Sequence, residues 1–214
     1  MSYTPDQIAD ALDYAVLSPR ATVEDIQYGC AFANKHKLRS ICVAPVNVRW
    51  AASIHDNVST VISFPDGNDE PYSKHQAAIN AISAGAKELD VVVNYGRYLG
   101  GDQAIIHHDL HNICLYAKKK GVLVKAVLET CYYAPRQIAD ACVRCVHEGV
   151  DFIKTSTGLI GGADRVGVTM IMDAVKGQCG VKASGGIKTY EDAAKFLDLG
   201  CTRLGSSRFL ELLP

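Results

Sequence analysis

Short apolar segments typical of strands alternate with helix-like segments eight times along the 214-residue sequence. This alternation is typical of βαβ units, in which parallel strands form a sheet that the helices cover. Eight such units favour closure of the sheet into a (β/α)8, or TIM, barrel over an open doubly wound sheet. No linker or low-complexity stretch interrupts the pattern. The sequence therefore predicts an α/β fold, with residues 1–214 forming a single compact TIM barrel domain.

The predicted strands are short and mostly end at glycine, proline or small polar residues. They are residues 11–17, 40–44, 60–64, 88–94, 122–129, 151–155, 181–184 and 203–205. Thr22 and Pro135 are residue types favoured at helix starts, so we expect helices to begin there. Residues 95–101 are expected to form a loop, and residues 208–213 a closing helix.

Composition excludes several classes of function. A net charge of −1 argues against a general nucleic-acid or membrane-surface binder, and no apolar run reaches membrane-spanning length. The sequence contains no G-x-G-x-x-G and no P-loop motif. Eight cysteines are scattered through apolar segments without a secretory signal pattern, which indicates reduced thiols in a cytoplasmic protein.

A lysine lies inside one of the predicted strands. Lys154 follows two apolar residues, and a run of hydroxyls that ends at Gly158 comes directly after it. Burial disfavours the charged form of a lysine, and a neutral amine can form a Schiff base with a carbonyl. A lone buried lysine is more often part of a structural ion pair, so the interpretation depends on the other strands.

Three other strands also place ionisable residues among apolar ones. Lys182, Lys125 and Asp90 each lie in such a strand, and alternation of side chains along a strand turns all of them to the barrel interior. One shared interior site accounts for this pattern better than independent accidents do.

Glycines and hydroxyls follow the last strands. Gly185 and Gly186 follow strand seven, and Gly205, Ser206 and Ser207 lie at the end of strand eight. TIM barrels often bind phosphate at these two loops, where glycine lets the backbone approach an anion. A single Gly-Gly pair could equally be an ordinary turn, but two such loops favour a phosphate site.

The stretch Asp-Phe-Ile-Lys-Thr-Ser-Thr-Gly, residues 151–158, resembles the signature of the 2-deoxyribose-5-phosphate aldolase family. The segments Lys-Ala-Ser-Gly-Gly (182–186) and Glu-Leu-Asp-Val-Val (88–92) match that family in order and approximate spacing. Weaker matches extend over nearly the whole chain. The resemblance implies a class I, Schiff-base aldolase on a TIM barrel that needs no cofactor.

The resemblance also implies roles for individual residues. Lys154 is the Schiff-base lysine, Lys182 supplies a positive charge that favours its neutral form, and Asp90 transfers protons through water together with Lys182. Supporting positions are Lys125, Asp13 and Cys42. For Lys125 and Asp13, a buried structural ion pair is as good an explanation as a direct role in the site. For Cys42, packing in the core is an equal alternative to a place in the substrate pocket.

Two residues depart from the family pattern. Ala15 stands where the family usually has a threonine after the first-strand aspartate. Arg208 follows Ser207 where another hydroxyl is common, and its guanidinium can also bind phosphate. We expect these departures to affect rate and substrate range more than the type of reaction.

Two other patterns resemble metal or redox motifs. His107 and His111 are spaced i,i+4, but the glutamate of the H-E-x-x-H pattern is absent, so a solvated helix face is favoured over a metal site. Cys142 and Cys145 have C-x-x-C spacing without a second pair, which favours small buried side chains over redox or metal chemistry. The sequence predicts no metal site.

The predicted reaction is reversible cleavage of 2-deoxy-D-ribose 5-phosphate to D-glyceraldehyde 3-phosphate and acetaldehyde. The expected partners are thus a phosphorylated sugar and an aldehyde, and a second copy of the chain in a homodimer. The alternatives are another Schiff-base aldolase, such as a transaldolase-like barrel, and a barrel that binds a sugar phosphate without turnover. A pyridoxal-phosphate enzyme would be recognised by visible absorbance.

Overall fold

In this computed structural model, which describes residues 3–213, the chain forms a closed barrel of parallel strands surrounded by helices. The eight strands in that range pair in sequence order, and the last pairs with the first. The strands are β1 Leu12–Val16, β2 Ser40–Val43, β3 Val58–Ile62, β4 Glu88–Val92, β5 Leu123–Val127, β6 Phe152–Lys154, β7 Gly180–Ser184 and β8 Arg203–Ser206. The predicted TIM barrel is confirmed.

Helices cover the outside of the barrel. They are α1 Pro5–Ala11, α2 Val23–Lys35, α3 Val48–Ala51, α4 Pro71–Ala84, α5 Tyr95–Leu99, α6 Ile105–Lys120, α7 Pro135–His147, α8 Arg165–Val175 and α9 Tyr190–Asp198. Between residues 3 and 213, no helix combines the length and the apolar character that crossing a membrane requires.

Local sequence signals fix several helix ends where the sequence predicts them. Thr22 caps α2 and forms a reciprocal capping box with Asp25, and Pro135 is the first residue of α7. On the buried face of α7, Cys142 and Cys145 pack in the core, as predicted for small apolar side chains. All eight cysteines are free thiols.

Two predicted segments differ from the structure. Part of the expected loop at residues 95–101 is the short helix α5, because the Asn94 side chain accepts a hydrogen bond from the Arg97 N–H and caps a helical turn there. The expected closing helix at residues 208–213 is only a 3-10 turn, Leu210–Leu212. The backbone hydrogen bonds there connect residues three apart, because the Leu212 N–H donates to the Phe209 carbonyl and the Leu213 N–H to the Leu210 carbonyl.

The barrel interior is charged, whereas the outward faces of the strands are apolar. On β4, Leu89 and Val91 are fully buried beneath the helices, and the alternating residues Glu88 and Asp90 point inward. The pairing of the strands places Asp90 opposite Lys125 on β5, and Lys154 opposite Lys182 on β7. The alternation of residues along the strands therefore concentrates ionisable side chains inside the barrel.

Candidate active site

A cavity of about 880 Å³ opens at the carboxyl ends of the strands. This is the end of a TIM barrel at which active sites are built. The sequence-predicted residues that line it are Asp13, Cys42, Lys154, Gly158, Lys182, Gly185, Gly186, Gly205, Ser206 and Ser207. Asp90 and Lys125 lie fully buried against this set, and Asp90 contacts both cavity lysines. The structure thus brings all the predicted site residues together.

Asp90 is the centre of the site. Its Oδ1 atom accepts a hydrogen bond from Lys125 Nζ at 2.8 Å. Its Oδ2 atom accepts from both Lys154 Nζ, at 2.8 Å, and Lys182 Nζ, at 2.9 Å. Three lysine side chains from three strands therefore surround one carboxylate, and two of them share a single oxygen atom.

The ion network extends from Asp90 across the barrel to two residues that the sequence analysis missed. Glu88 contacts Lys125 Nζ at 2.6 Å and accepts a hydrogen bond from Arg203 at 2.8 Å. Arg203 also pairs with Asp13, and Asp13 contacts Lys182 Nζ at 2.5 Å. Both missed residues begin predicted strands and face inward by alternation, which is the signal that could have identified them.

The network has one more basic group than it has carboxylates. Among the described residues it contains Asp13, Glu88 and Asp90 against Lys125, Lys154, Lys182 and Arg203. Within the same part of the chain, Lys154 contacts one carboxylate, Lys182 two and Lys125 three. Lys154 is therefore the basic group of the network that forms the fewest ion pairs.

The electrostatics hold the surrounding groups in their charged forms. Burial alone would raise the pKa of Asp90, but Lys125, Lys154 and Lys182 outweigh burial and hold that pKa well below its usual range. Burial would lower the pKa of Lys182, but Asp13 and Asp90 raise it above the usual value. The carboxylates likewise outweigh burial at Lys125, whose pKa is raised well above its usual value. Lys125 and Lys182 are thus fixed cations beside Lys154.

The loops after β6 and β7 contact each other closely. Gly185 has φ +85°, and a Cβ atom there would lie 2.8 Å from the Gly161 carbonyl oxygen and 2.9 Å from Gly158 Cα. Only glycine tolerates both the left-handed backbone and this approach. Thr155 Oγ1 also accepts a hydrogen bond from the Ser184 N–H at 3.1 Å. Two of the cavity walls are therefore held as one unit.

Glu129, a residue that the sequence analysis did not assign to the site, anchors the loop after Lys154. It is fully buried, and its Oε2 atom accepts from the Thr157 N–H at 3.0 Å and from the Thr157 hydroxyl at 2.5 Å. Its Oε1 atom accepts from the Gly161 N–H at 3.3 Å. The Glu129 backbone adopts φ 58°, in the left-handed region. The loop that contains Gly158 therefore depends on one carboxylate for its position.

The loop after β8 completes the cavity. A Cβ atom at Gly205 would lie 2.6 Å from Ser184 Oγ, so glycine is needed there for packing. The Ser206 hydroxyl donates to the Ile187 carbonyl at 2.8 Å and accepts from the Arg208 N–H at 3.1 Å. The Ser206 side chain thus joins the last two loops. Its predicted role in binding phosphate remains a prediction.

Basic side chains also line the cavity. Arg20, Lys188 and Arg208 line it near the glycine-containing loops. These positive charges, together with backbone N–H groups, suit an anionic ligand such as a phosphate ester. Ala15 also lines the cavity, so the substitution at this position alters the surface of the site itself.

Cys42 lies in the site and is 2% exposed. Burial raises the pKa of the Cys42 thiol, and the negative charge of Asp90 raises it further, although Lys182 and Lys154 act against this. The thiol is therefore protonated at neutral pH. Its position suits packing against a bound ligand.

Comparison with known proteins agrees with this geometry. A family model described as DeoC/LacD family aldolase matches residues 7–205. A deoxyribose-phosphate aldolase from Thermosynechococcus vestitus is 39% identical over 210 residues, which is 96% of this chain and 95% of that protein. A deoxyribose-phosphate aldolase from Bacillus mycoides is 38% identical over 205 residues, 94% of this chain and 92% of the relative.

Solved structures share the fold. A putative deoxyribose-phosphate aldolase from Coccidioides immitis superposes with a TM-score of 0.93 at 32% identity, covering 99% of this chain and 86% of that one. A deoxyribose phosphate aldolase from Aeropyrum pernix, described as having a unique tetrameric structure, gives a TM-score of 0.90 at 31% identity. That match covers 98% of this chain and 90% of the other. The chain belongs to the DeoC/LacD family of aldolases.

Proposed function

We propose that this chain is a class I aldolase that reversibly cleaves 2-deoxy-D-ribose 5-phosphate to D-glyceraldehyde 3-phosphate and acetaldehyde. One observation carries the proposal. Lys154, at the floor of the cavity, contacts only one of the carboxylates of the described network, and it shares the accepting oxygen atom with Lys182. Lys154 is thus the lysine of the network with the fewest ion pairs, and it lines the cavity, where its Nζ atom can attack a carbonyl carbon.

In the proposed first step, Lys154 Nζ attacks the aldehyde carbon C1 of the open-chain sugar. Loss of water from the resulting carbinolamine gives an iminium ion at C1. The C2–C3 bond then breaks, its electron pair moves toward the iminium to form an enamine, and the C3 hydroxyl loses its proton as the C3 carbonyl forms. D-glyceraldehyde 3-phosphate leaves at this point.

In the second half, C2 of the enamine takes up a proton, and water hydrolyses the new iminium to acetaldehyde and free Lys154. We assign the movement of these protons to Asp90 and Lys182, acting through water in the cavity. Asp90 also holds the positive charges of Lys125 and Lys182 beside the reacting nitrogen. Lys125 and Asp13 then act by orienting the other two groups.

The phosphate is proposed to lie against the loops after β7 and β8. Gly186 supports this, because its α-carbon faces open space and its φ of +77° turns the backbone into a tight loop. Gly158, Gly185, Gly205 and Ser207 surround the same cavity, and Arg208 adds positive charge. A substrate that is both an aldehyde and a phosphate ester would therefore reach Lys154 with one end and these loops with the other.

The test is covalent trapping with borohydride in the presence of deoxyribose 5-phosphate, followed by peptide mapping. We expect one adduct, on Lys154, and turnover that persists in excess chelator. Trapping with acetaldehyde should modify the same lysine, which would separate this activity from that of a transaldolase-like enzyme. An adduct on Lys125 or Lys182 alone would refute the assignment of Lys154, and binding without turnover would indicate a non-catalytic barrel.

The assembly and the location of the protein remain part of the proposal. We propose a homo-oligomer, since the relative from Aeropyrum pernix is described as tetrameric. The homodimer expected from the sequence is the smallest assembly of this kind. The free thiols support a reducing, cytoplasmic environment. Sedimentation of the purified protein would test the assembly directly.

A further inference from the structure

Two histidines and a glutamate meet on the outer surface of the barrel, away from the catalytic cavity. His107 and His111 lie one turn apart on α6, so their side chains share a face of that helix. Glu148 directly follows α7, whose C-terminus it caps. None of the three lines the cavity at the carboxyl ends of the strands. Their contact is therefore a feature of the helical layer.

The three side chains point their ligating atoms at one another. His107 Nδ1 lies 3.0 Å from Glu148 Oε1, and His111 Nδ1 lies 3.0 Å from Glu148 Oε2. One ligating atom from each residue lies within 4.8 Å of the other two. A tetrahedral zinc ion with bonds of about 2.1 Å would separate its ligand atoms by about 3.4 Å. Small side-chain rotations would bring the atoms to that spacing.

The site combines a fixed carboxylate with accessible imidazoles. The Glu148 side chain is 7% exposed, whereas those of His107 and His111 are 52% and 44% exposed. A metal ion can therefore reach the histidines from solvent, whereas the carboxylate is held against the protein.

We propose that His107, His111 and Glu148 form a binding site for a divalent transition metal ion of the zinc class, which links α6 to α7. Two imidazoles and one carboxylate form a ligand set that zinc accepts, with the remaining positions left to water. The i,i+4 histidine pair alone predicted only a solvated helix face. Glu148, which is 37 residues from His111 in sequence, supplies the third ligand through the fold.

The site is proposed to be structural rather than catalytic. The ion would join two neighbouring helices without touching Lys154 or Asp90. Ligand binding to the folded state alone stabilises it by mass action. At a zinc concentration about a hundred times the Kd, the melting temperature should rise by about 5 to 10 °C for a chain of this size. Aldolase turnover at moderate temperature should be unchanged by zinc removal.

The test is calorimetric titration of the chelator-treated protein with Zn²⁺. It is made in a Cys131→Ser background, since Cys131 is an exposed thiol that could bind zinc by itself. We expect one zinc ion per chain, and weakening of at least tenfold in His107→Ala, His111→Ala and Glu148→Gln. His108→Ala is the matched control, because His108 is an exposed histidine of α6 outside the group of three.

The result expected for the control is unchanged zinc affinity and an unchanged zinc-dependent rise in melting temperature. If the His107→Ala/His111→Ala variant binds zinc as tightly as the parent protein, the site lies elsewhere and the proposal is wrong. If the parent protein binds no zinc in the titration, the three residues form only a hydrogen-bonded surface cluster and the proposal is likewise wrong. Circular dichroism of each variant verifies that loss of binding does not reflect loss of the fold.

Discussion

Lys154 and Lys182 lie directly opposite each other on β6 and β7, and both ammonium groups donate to the same oxygen of Asp90. Two cations held against one atom in a buried site repel each other, and loss of a proton by one of them relieves the repulsion. Lys182 is held by a second carboxylate, Asp13, so Lys154 forms fewer ion pairs than its neighbour. This difference agrees with the proposed role of Lys154 as the nucleophile.

Replacing Lys182 should change the pH at which Lys154 reacts. Lys182→Leu removes the neighbouring cation, so the protonated form of Lys154 becomes more favourable. We expect the midpoint of borohydride trapping to move upward by about one pH unit or more, each unit representing about 1.4 kcal/mol. Lys182→Arg keeps the positive charge, so this variant should form more of the trapped Lys154 adduct than Lys182→Leu does. If the midpoint stays constant in Lys182→Leu while turnover collapses, Lys182 acts in proton transfer rather than by charge.

Replacing Asp90 should have the opposite effect on trapping. Asp90→Asn leaves the lysines with less negative charge nearby, which favours the neutral amine, so the trapping midpoint should move to lower pH. Turnover should nevertheless fall by a factor of about 10² or more, because the proton-transfer group is lost. The measurements are the pH profile of trapping and the steady-state kcat. A midpoint that moved upward would contradict the charge balance proposed for the site.

Asp109→Asn is the matched control for this variant. Asp109 forms an equally buried ion pair with Lys74 at 2.8 Å, between α4 and α6 rather than in the cavity. Breaking a buried pair by removing one partner costs about 3–5 kcal/mol of stability. Both variants should therefore lose stability, but only Asp90→Asn should shift the trapping midpoint.

The buried carboxylates should make the barrel resistant to mild acid. The pKa values of Asp13, Glu88 and Asp90 are lowered in the folded state, since neighbouring cations outweigh the effect of burial. Their stabilising contribution is fully present above the unfolded-state values of about 4 and is lost as the pH falls through the lower folded-state values. Urea denaturation from about pH 7 down to about pH 2 should show the loss beginning only below about pH 4.

In Glu88→Gln the free energy of unfolding should be lower at neutral pH and fall less steeply in acid. Each proton that the unfolded state binds in excess contributes a slope of about 1.4 kcal/mol per pH unit. A variant whose acid slope equalled that of the parent protein would show that Glu88 does not titrate with unfolding.

Glu129 should control substrate affinity through the loop that it anchors. Glu129→Ala leaves the Thr157 N–H, the Thr157 hydroxyl and the Gly161 N–H without their acceptor. Because the loop lines the cavity, we expect KM to rise about tenfold or more, with a smaller change in kcat. Glu191→Ala, at an exposed position in the first turn of α9, is the control. Equal effects of the two substitutions on KM would show that Glu129 does not position the loop.

Ser207 tests the phosphate site. Ser207→Asp places a negative charge in the loop after β8, where it would repel a phosphate group. KM for deoxyribose 5-phosphate should rise about tenfold with little change in kcat, as expected for loss of uniform binding. Turnover of unphosphorylated deoxyribose should be unaffected. An equal loss with both substrates would place the phosphate away from this loop.

Much of this arrangement could be predicted from the sequence, because strand alternation depends only on local order. It predicted the barrel and the inward position of Asp90, Lys125, Lys154 and Lys182. The pairing of Arg203 with Glu88 could not be predicted, since these residues are 115 positions apart and meet only when the barrel closes. Glu129 was missed as a loop anchor because it lies beyond the end of β5 with a left-handed backbone that no alternation pattern describes.

The close approach of Gly185 to Gly158 and Gly161 has a consequence for how this cavity can diversify. A residue inserted into one of the two loops would displace the other, so related enzymes should change the lengths of these loops together or not at all. Ala15, in β1, and Arg208, after β8, line the cavity outside these two loops and are the positions that depart from the family pattern. Variation in substrate range should therefore accumulate on that side of the cavity.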